Sequence, residues 1–335
     1  MTQWSRLTLG RLVTRLALLA LATVGVLALG VAVGVEKVSW RNCLNADSVD
    51  RAIVVGARLS RVLLAAVVGA GLASSGVTFQ ALLRNPMADP YVLGVSAGAA
   101  VAATIAIQAG AGWAGLLPLW SFVGALAAVA LVYTVGCVRG RLVPVVALLA
   151  GVVFNAFAGG LIVALAFASR GQRTQEVMLW LVGSLTSPDW HQLAMLALWT
   201  GLGLVGLVLL APRMNALALG EEGAHSVGVN VPATRRLLFL AGSLLTGAAV
   251  AVAGPIGFVG IVVPHALRLA FGPDHRLLVP ASALGGALFL SLCDTIARLA
   301  FVPLGSEPAV GVVTALIGGP FFLVLLWRRR GTRLF

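Results

Sequence analysis

The stretch RNPMADPYVLGVSAGAA, Arg84 to Ala100, decides how this chain is read. It interrupts apolar sequence. Before it runs VLLAAVVGAGLASSGVTFQALL, Val62 to Leu83, and after it the chain stays apolar to Ile107. One Arg, one Asn, one Asp and two prolines thus stand between runs that contain none of these residue types. Proline fixes φ and lacks an N–H, so Pro86 and Pro90 forbid one continuous helix. The pattern is helix, tight turn, helix. Small residues (Gly94, Ser96, Gly98) open the second helix where Leu and Phe would be ordinary.

Composition sets the class. The chain has 335 residues, 60% hydrophobic and 10% charged, where a soluble domain carries about 25% charged residues. This is an integral membrane protein. Its three cysteines, Cys43, Cys137 and Cys293, have no metal-ligand spacing, so neither a metal site nor a disulfide framework is expected. Arg6, Arg11 and Arg15 precede an apolar run from Leu16 to Val35. That run exceeds the about 7–15 residues of a cleaved signal core, so it reads as a first transmembrane helix.

A helix needs about 20 apolar residues to cross a bilayer. Hydropathy places ten helices, near 12–35, 58–83, 91–109, 117–138, 143–168, 191–211, 236–253, 255–271, 277–300 and 309–327. The Gly254-Pro255 junction is the least regular boundary. With both termini cytoplasmic, the inner segments hold 15 of the 23 basic residues and four of the 11 acidic ones, a net +11 against +1 outside. The overall charge of +12 is therefore a topology signal, and no nucleic-acid partner is expected. Trp113, Trp120, Trp190 and Trp327 fall near helix ends, as interfacial tryptophans do. No soluble domain is found. Residues 1–335 read as one transmembrane domain, with 212–235 the longest cytoplasmic connection.

The spans are rich in Gly, Ala and Ser, which let transmembrane backbones approach closely. Gly94 and Gly98 form a GxxxG, as do Gly136 and Gly140; each fits either a packing seam or generic membrane-helix packing. Few ionisable residues lie inside the spans, which argues against a proton- or ion-coupled carrier. The exceptions are His265, after Pro264, and the i, i+4 pair Asp294/Arg298, which fits a simple intrahelical ion pair. Lys37 is the only lysine, and it lies outside any GxxxxGK[ST] pattern, so this chain has no ATP-binding P-loop. Active transport would then draw its energy from another subunit. The inner segment PRMNALALGEEGAHSVGVNVPATRR divides into short helix-forming pieces, Met214–Leu219 and Glu221–Val227, punctuated by Gly220, Gly223, Gly228 and Pro232. It reads as a handle for a cytoplasmic partner or as a solvated linker.

The motifs RLSRVLLAAVVGAGLASSG, LLRNPMADPYVLGVSAGAA, LWLVGSL, LGEEGAHSVGVNV, GPIGFVGIVVPHALR, GPDHR and AVGVVTALIGGPFFLVLL occur in that order over residues 50–330. Together they resemble the permeases of the type II ABC importers for iron-siderophore, haem and vitamin B12. The resemblance implies an all-α bundle of ten helices per subunit and a homodimer with its pathway on the dimer axis. It also implies two cytoplasmic ATPase subunits and an external or periplasmic binding protein, in a bacterial plasma (inner) membrane. No cofactor or metal bound by this chain is expected; ATP is used by the partner.

The resemblance also assigns residues. Arg58, Arg61 and Arg298 are expected to dock the binding protein. Asn85, Pro86 and Met87 are expected at the cytoplasmic gate, or else form a plain turn. Glu221, Glu222, Gly223, Ala224, Ser226 and Gly228 are expected to seat in the ATPase, and Gly94 and Gly98 to pack helices. The expected substrate is a metal chelate, first an iron-siderophore, with haem or cobalamin as the alternative. A secondary transporter is the reading from a different class.

Overall fold

The computed structural model describes residues 9–36, 38–45, 47–110, 116–168 and 172–329. Arg6, Lys37, Trp113, Arg330 and Arg333 lie outside them. The described chain is almost wholly helical: α1 (Leu9–Ala32), α2 (Val49–Arg51), α3 (Ser60–Leu83), α4 (Val95–Gln108), α5 (Leu117–Gly136), α6 (Pro144–Ala168), α7 (Gln172–Val182), α8 (Trp190–Ala218), α9 (Glu221–Ser226), α10 (Val231–Ala253), α11 (Val259–Phe271), α12 (His275–Leu299), α13 (Phe301–Leu304) and α14 (Val310–Arg329). A π-helical stretch, Ala52–Leu59, joins α2 to α3. Strands β1 (Cys137–Val138) and β2 (Arg141–Leu142) form a two-residue hairpin. Arg139 and Gly140 between them both have positive φ, the backbone of a type I′ turn.

Seven of these helices are long and apolar enough to cross a membrane, and three shorter apolar ones complete the ten expected. The expected boundaries hold within a few residues for most of them. Three features depart from expectation. Helix α8 continues past 211, through Pro212, to Ala218, and takes up the expected short piece Met214–Leu219. Helix α7 forms inside what reads as an outer loop. The Gly136/Gly140 GxxxG is not a helical seam, because Gly140 lies in the hairpin turn.

Helix α3 is the axis of the bundle: 83% of its span is buried, against 6% for α1. Its small residues explain this position. A Cβ on Gly69 would strike the backbone of Gly286 on α12, so these two helices touch through their main chains. Ser75 donates to the carbonyl of Gly242 at 2.8 Å and pairs with Thr246 at 2.5 Å, fastening α3 to α10. Helices α5, α6, α8 and α14 instead expose large apolar side chains such as Leu131, Phe157, Trp199 and Leu323. Such faces suit lipid or a second subunit, not water.

The charged groups sort to two ends. Arg15 meets Phe271, Asn215 meets Asp274, and Glu221 meets Arg235 at one end. Arg58, Arg61, Arg298 and Glu307 gather at the other. These are the ends that charge counting assigns inside and outside, called inner and outer below.

Candidate functional site

At the outer end, the three arginines turn toward the protein. Arg58 is 7% exposed. It donates to the carbonyls of Val31 and Ala32 at 3.4 Å, and to that of Glu36. Arg298 donates to the carbonyl of Gly30 at 2.8 Å and to that of Val33 at 3.4 Å. A helix leaves its last carbonyls without intrahelical partners. Helix α1 has no basic residue in its own last turn. The two guanidiniums, from other segments, supply those hydrogen bonds and complement the helix dipole.

Arg61 binds Asp294 and Glu307. Asp294, fully buried, also meets Arg298 at 3.1 Å. The intrahelical pair read from the sequence is therefore part of a larger network joining α3, α12 and the segment before α14. Arg61 is the most accessible of the three, with 16% of its side chain exposed. His265 lies buried within α11.

The turn after α3, Arg84 to Leu93, is built by local hydrogen bonds. Arg84 caps α3 in the left-handed conformation, φ 50°. Its N–H bonds Ala81, and that of Asn85 bonds the carbonyl of Gln80 at 3.1 Å, the paired bonds of a Schellman cap. Asn85 Oδ1 then accepts from the N–H of Met87 at 2.9 Å. Asp89 Oδ1 accepts from that of Tyr91 at 2.9 Å, with Pro90 opening a 3₁₀ turn to Leu93. Tyr91 carries the turn inward. Its hydroxyl donates to the carbonyl of Ile256 at 2.8 Å and accepts from the N–H of Ile256 at 2.9 Å. That pins the non-helical segment between α10 and α11, whose backbone would otherwise lack partners.

Gly94 and Gly98 separate in role. Gly94, at φ 82°, is the corner between the 3₁₀ turn and α4, where a side chain would be strained. Gly98 is the packing residue: its Cβ position is occupied by Ala128 and the carbonyl of Gly124 on α5. Asn85 and Pro86 are exposed, and Met87 is half-buried.

At the inner end, the short helix α9 packs between α8 and α10 through Ala224. Gly228, at φ 80°, closes it with a second Schellman cap: Gly228 bonds His225 at 2.9 Å and Val229 bonds Ala224 at 3.0 Å. Ser226 donates to the carbonyl of Glu222 at 2.8 Å. Ala224 faces the bundle and is fully buried. Glu221, Glu222, Ser226 and Gly228 face out. Glu221 pairs with Arg235 at 2.5 Å, and that hydrogen bond, with Arg84 and Arg141 also near, holds its carboxyl below the ordinary glutamate range. Sequence reading missed Leu219 and Val227, which flank α9 and are 67% and 60% exposed. Two large apolar side chains displayed beside a short acidic helix are what a protein partner would cover. Their position at the two ends of the glycine-bounded piece is the signal that could have found them.

Helical spans and polarised ends describe a polytopic membrane protein with a short helix at its inner end. The model of the FecCD transport family matches residues 19–328. The chain belongs to the FecCD transport family. It is 45% identical over 276 residues to the cobalamin import system permease protein BtuC of Halobacterium salinarum, covering 82% of this chain and 73% of that one. It is 41% identical over 337 residues to the hemin transport system permease protein HmuU of Yersinia pestis, covering 98% and 97%. A solved structure described as an inward-facing conformation of a metal-chelate type ABC transporter superposes with a TM-score of 0.82 at 30% identity, covering 94% of this chain and 99% of that one. The family resemblance read over residues 50–330 is therefore correct, and the FecCD chain is a multi-pass permease, a transport component.

Proposed function

We propose that this FecCD permease is the membrane subunit of an ATP-driven importer of a bulky metal chelate in the plasma (inner) membrane. It works as a homodimer with two ATPase subunits on its inner face and an external solute-binding protein on its outer face. The observation that carries this reading is α9, a capped helix held by Ala224 with its acidic residues, and the flanking Leu219 and Val227, turned outward. The lack of any P-loop lysine supports a separate source of energy. For the cargo, relatives named for cobalamin, hemin and iron(3+)-hydroxamate support a metal chelate, with an iron-siderophore as the first candidate and haem or cobalamin as the alternative. Docking of the binding protein falls on the outer end, with Arg61 as the direct contact and Arg58 and Arg298 holding the surface in shape.

The test is uptake into proteoliposomes carrying the permease, the ATPase subunits and the binding protein. Haem, cobalamin and a ferric siderophore are offered in turn, with and without ATP. Uptake of one chelate that requires ATP and both partners is expected. Uptake driven by a proton gradient, without the ATPase, would establish a secondary transporter instead.

A further inference from the structure

Asn215 lies near the end of α8, three residues before Ala218 and six before α9 begins at Glu221. Its carboxamide is used from both sides. Nδ2 donates to Asp274 Oδ1 at 2.7 Å. Oδ1 accepts from the N–H of His275 at 2.9 Å and lies 2.8 Å from His275 Nδ1. A backbone N–H can only donate, so it fixes which end of the amide is oxygen. The same oxygen then requires the proton of the imidazole on Nδ1. Asp274 in turn caps α12, accepting from the N–H of Arg276 at 2.9 Å. These are residues of the motif GPDHR, which neither gate nor docking absorbs.

One side chain thus fastens the end of α8 to the first residues of α12. Around it lies a single apolar layer: Met214 and Leu217 of α8, Ala224 of α9, Val231 of α10, and Leu278 and Val279 of α12. Apolar contact is non-directional and tolerates sliding. A two-sided amide does not, because displacement leaves a partly buried donor and a partly buried acceptor unpaired. Helix α12 then runs to Asp294 and Arg298 at the outer end.

We propose that Asn215 is a positioning residue for transport, the rigid link that delivers displacement of α9 to α12. This rests on α9 being the ATPase seat. A corner staple without that role would affect folding but not the ratio of uptake to hydrolysis.

The full complex in proteoliposomes separates the two. Asn215→Asp sets a carboxylate against Asp274 and removes the donor. ATPase subunits are expected to co-purify with it and hydrolyse at the wild-type rate, while uptake per ATP falls about tenfold, within the range of measured couplings. The paired exchange Asn215→Asp with Asp274→Asn reverses donor and acceptor across the contact, still lets position 215 accept from His275, and keeps the α12 cap when the new amide at position 274 turns Nδ2 to position 215 and Oδ1 to the N–H of Arg276. It is expected to restore at least half of the uptake. Should Asn215→Asp fail to assemble, the paired exchange and Asn215→Leu, which keeps volume without polarity, make the same comparison. Normal uptake per ATP in the single variants, or no rescue by a well-folded exchange, overturns the proposal. Gly223→Leu on α9 serves as the control. If that change leaves ATPase binding and coupling intact, the seat is elsewhere, and the reading beneath the proposal is the one at fault.

Discussion

Arg61, at the outer start of α3, donates from Nε to Asp294 Oδ1 at 2.9 Å near the outer end of α12, across 233 residues of chain. Asp294 is fully buried and is shared with Arg298. The acid thus holds together two guanidiniums that would otherwise repel. Removing one partner of a buried ion pair costs about 3–5 kcal/mol, because it strands charge away from water. Asp294→Asn should lower stability by about that amount, read as earlier thermal unfolding of the detergent-purified protein. Glu307→Gln, at an exposed position, should cost no more than about 1 kcal/mol. Equal effects from the two variants would rule out this ordering.

The outer arginines separate by experiment as well as by geometry. Arg58 and Arg298 bond the last carbonyls of α1, whereas Arg61 keeps an accessible edge. Arg58→Ala should therefore expose the outer end of α1 to protease or hydrogen exchange, with little change in binding-protein affinity. Arg61→Glu should weaken that affinity, and the wild-type association should decline as salt rises. Loss of affinity from Arg58→Ala with α1 still protected would make Arg58 a direct contact.

Much of this fold was legible before any coordinates. Ten apolar runs, the broken turn at Arg84 and the irregular Gly254-Pro255 junction are one-dimensional signals, and each has its counterpart. What escaped depends on partners. Pro212 reads as a helix end, but a membrane-spanning helix tolerates proline where neighbours satisfy the freed backbone, so α8 runs on to Ala218. Helix α7 begins QRTQE, polar enough to pass for a loop. The direction of Arg58 and Arg298 depends on carbonyls of α1, hundreds of residues away for Arg298. No local pattern announces such a contact. Asn215 escaped for the same reason, since its partners lie on α12.

Packing at the start of α4 offers a paired test of the two glycines. Gly98→Val places a branched side chain into Ala128 and the backbone of Gly124, so α4 and α5 must separate. Gly94→Ala instead forces a left-handed alanine, at a cost of about 1–2 kcal/mol, and sets its Cβ 2.8 Å from the Phe154 ring, a side chain that can shift where the backbone of Gly124 cannot. We expect Gly98→Val to lose folded yield and Gly94→Ala to retain it with a lowered melting temperature. The reverse order would show that the turn, not the helix contact, limits folding.

The ion pair on α9 predicts a pH dependence with a definite sign. Arg235 lowers the carboxyl pKa of Glu221 in the folded state. The pair therefore contributes above the unfolded glutamate value of about 4.3, and its contribution fades as pH falls from there through the lowered folded value. Hydrogen-exchange protection of α9, compared between wild type and Glu221→Gln, should differ at neutral pH and converge in acid. The difference stays small because the carboxylate is largely solvated. A difference that grows as pH falls contradicts the pair.

The turn at Asn85 permits a test that separates a gate from a corner. As a corner, Asn85 needs only an acceptor at Oδ1 for the N–H of Met87, a bond of 2.9 Å. Aspartate supplies that acceptor equally well. Asn85→Asp should then fold normally, and as a pure turn residue it should also transport normally. At a constriction on a two-fold axis, each substitution appears twice, so Asn85→Asp brings two carboxylates together. Their repulsion should change ATP-driven uptake while leaving the melting temperature alone. The double variant Asn85→Ala with Met87→Ala removes side-chain volume from the same place. It should pass a small fluorescent solute into proteoliposomes without ATP. Asn85→Cys should cross-link to its symmetry mate in one nucleotide state and not in the other. A silent Asn85→Asp, a tight double-alanine variant and a cysteine that never cross-links would together leave RNPMADP as a turn whose work is to aim Tyr91 at Ile256.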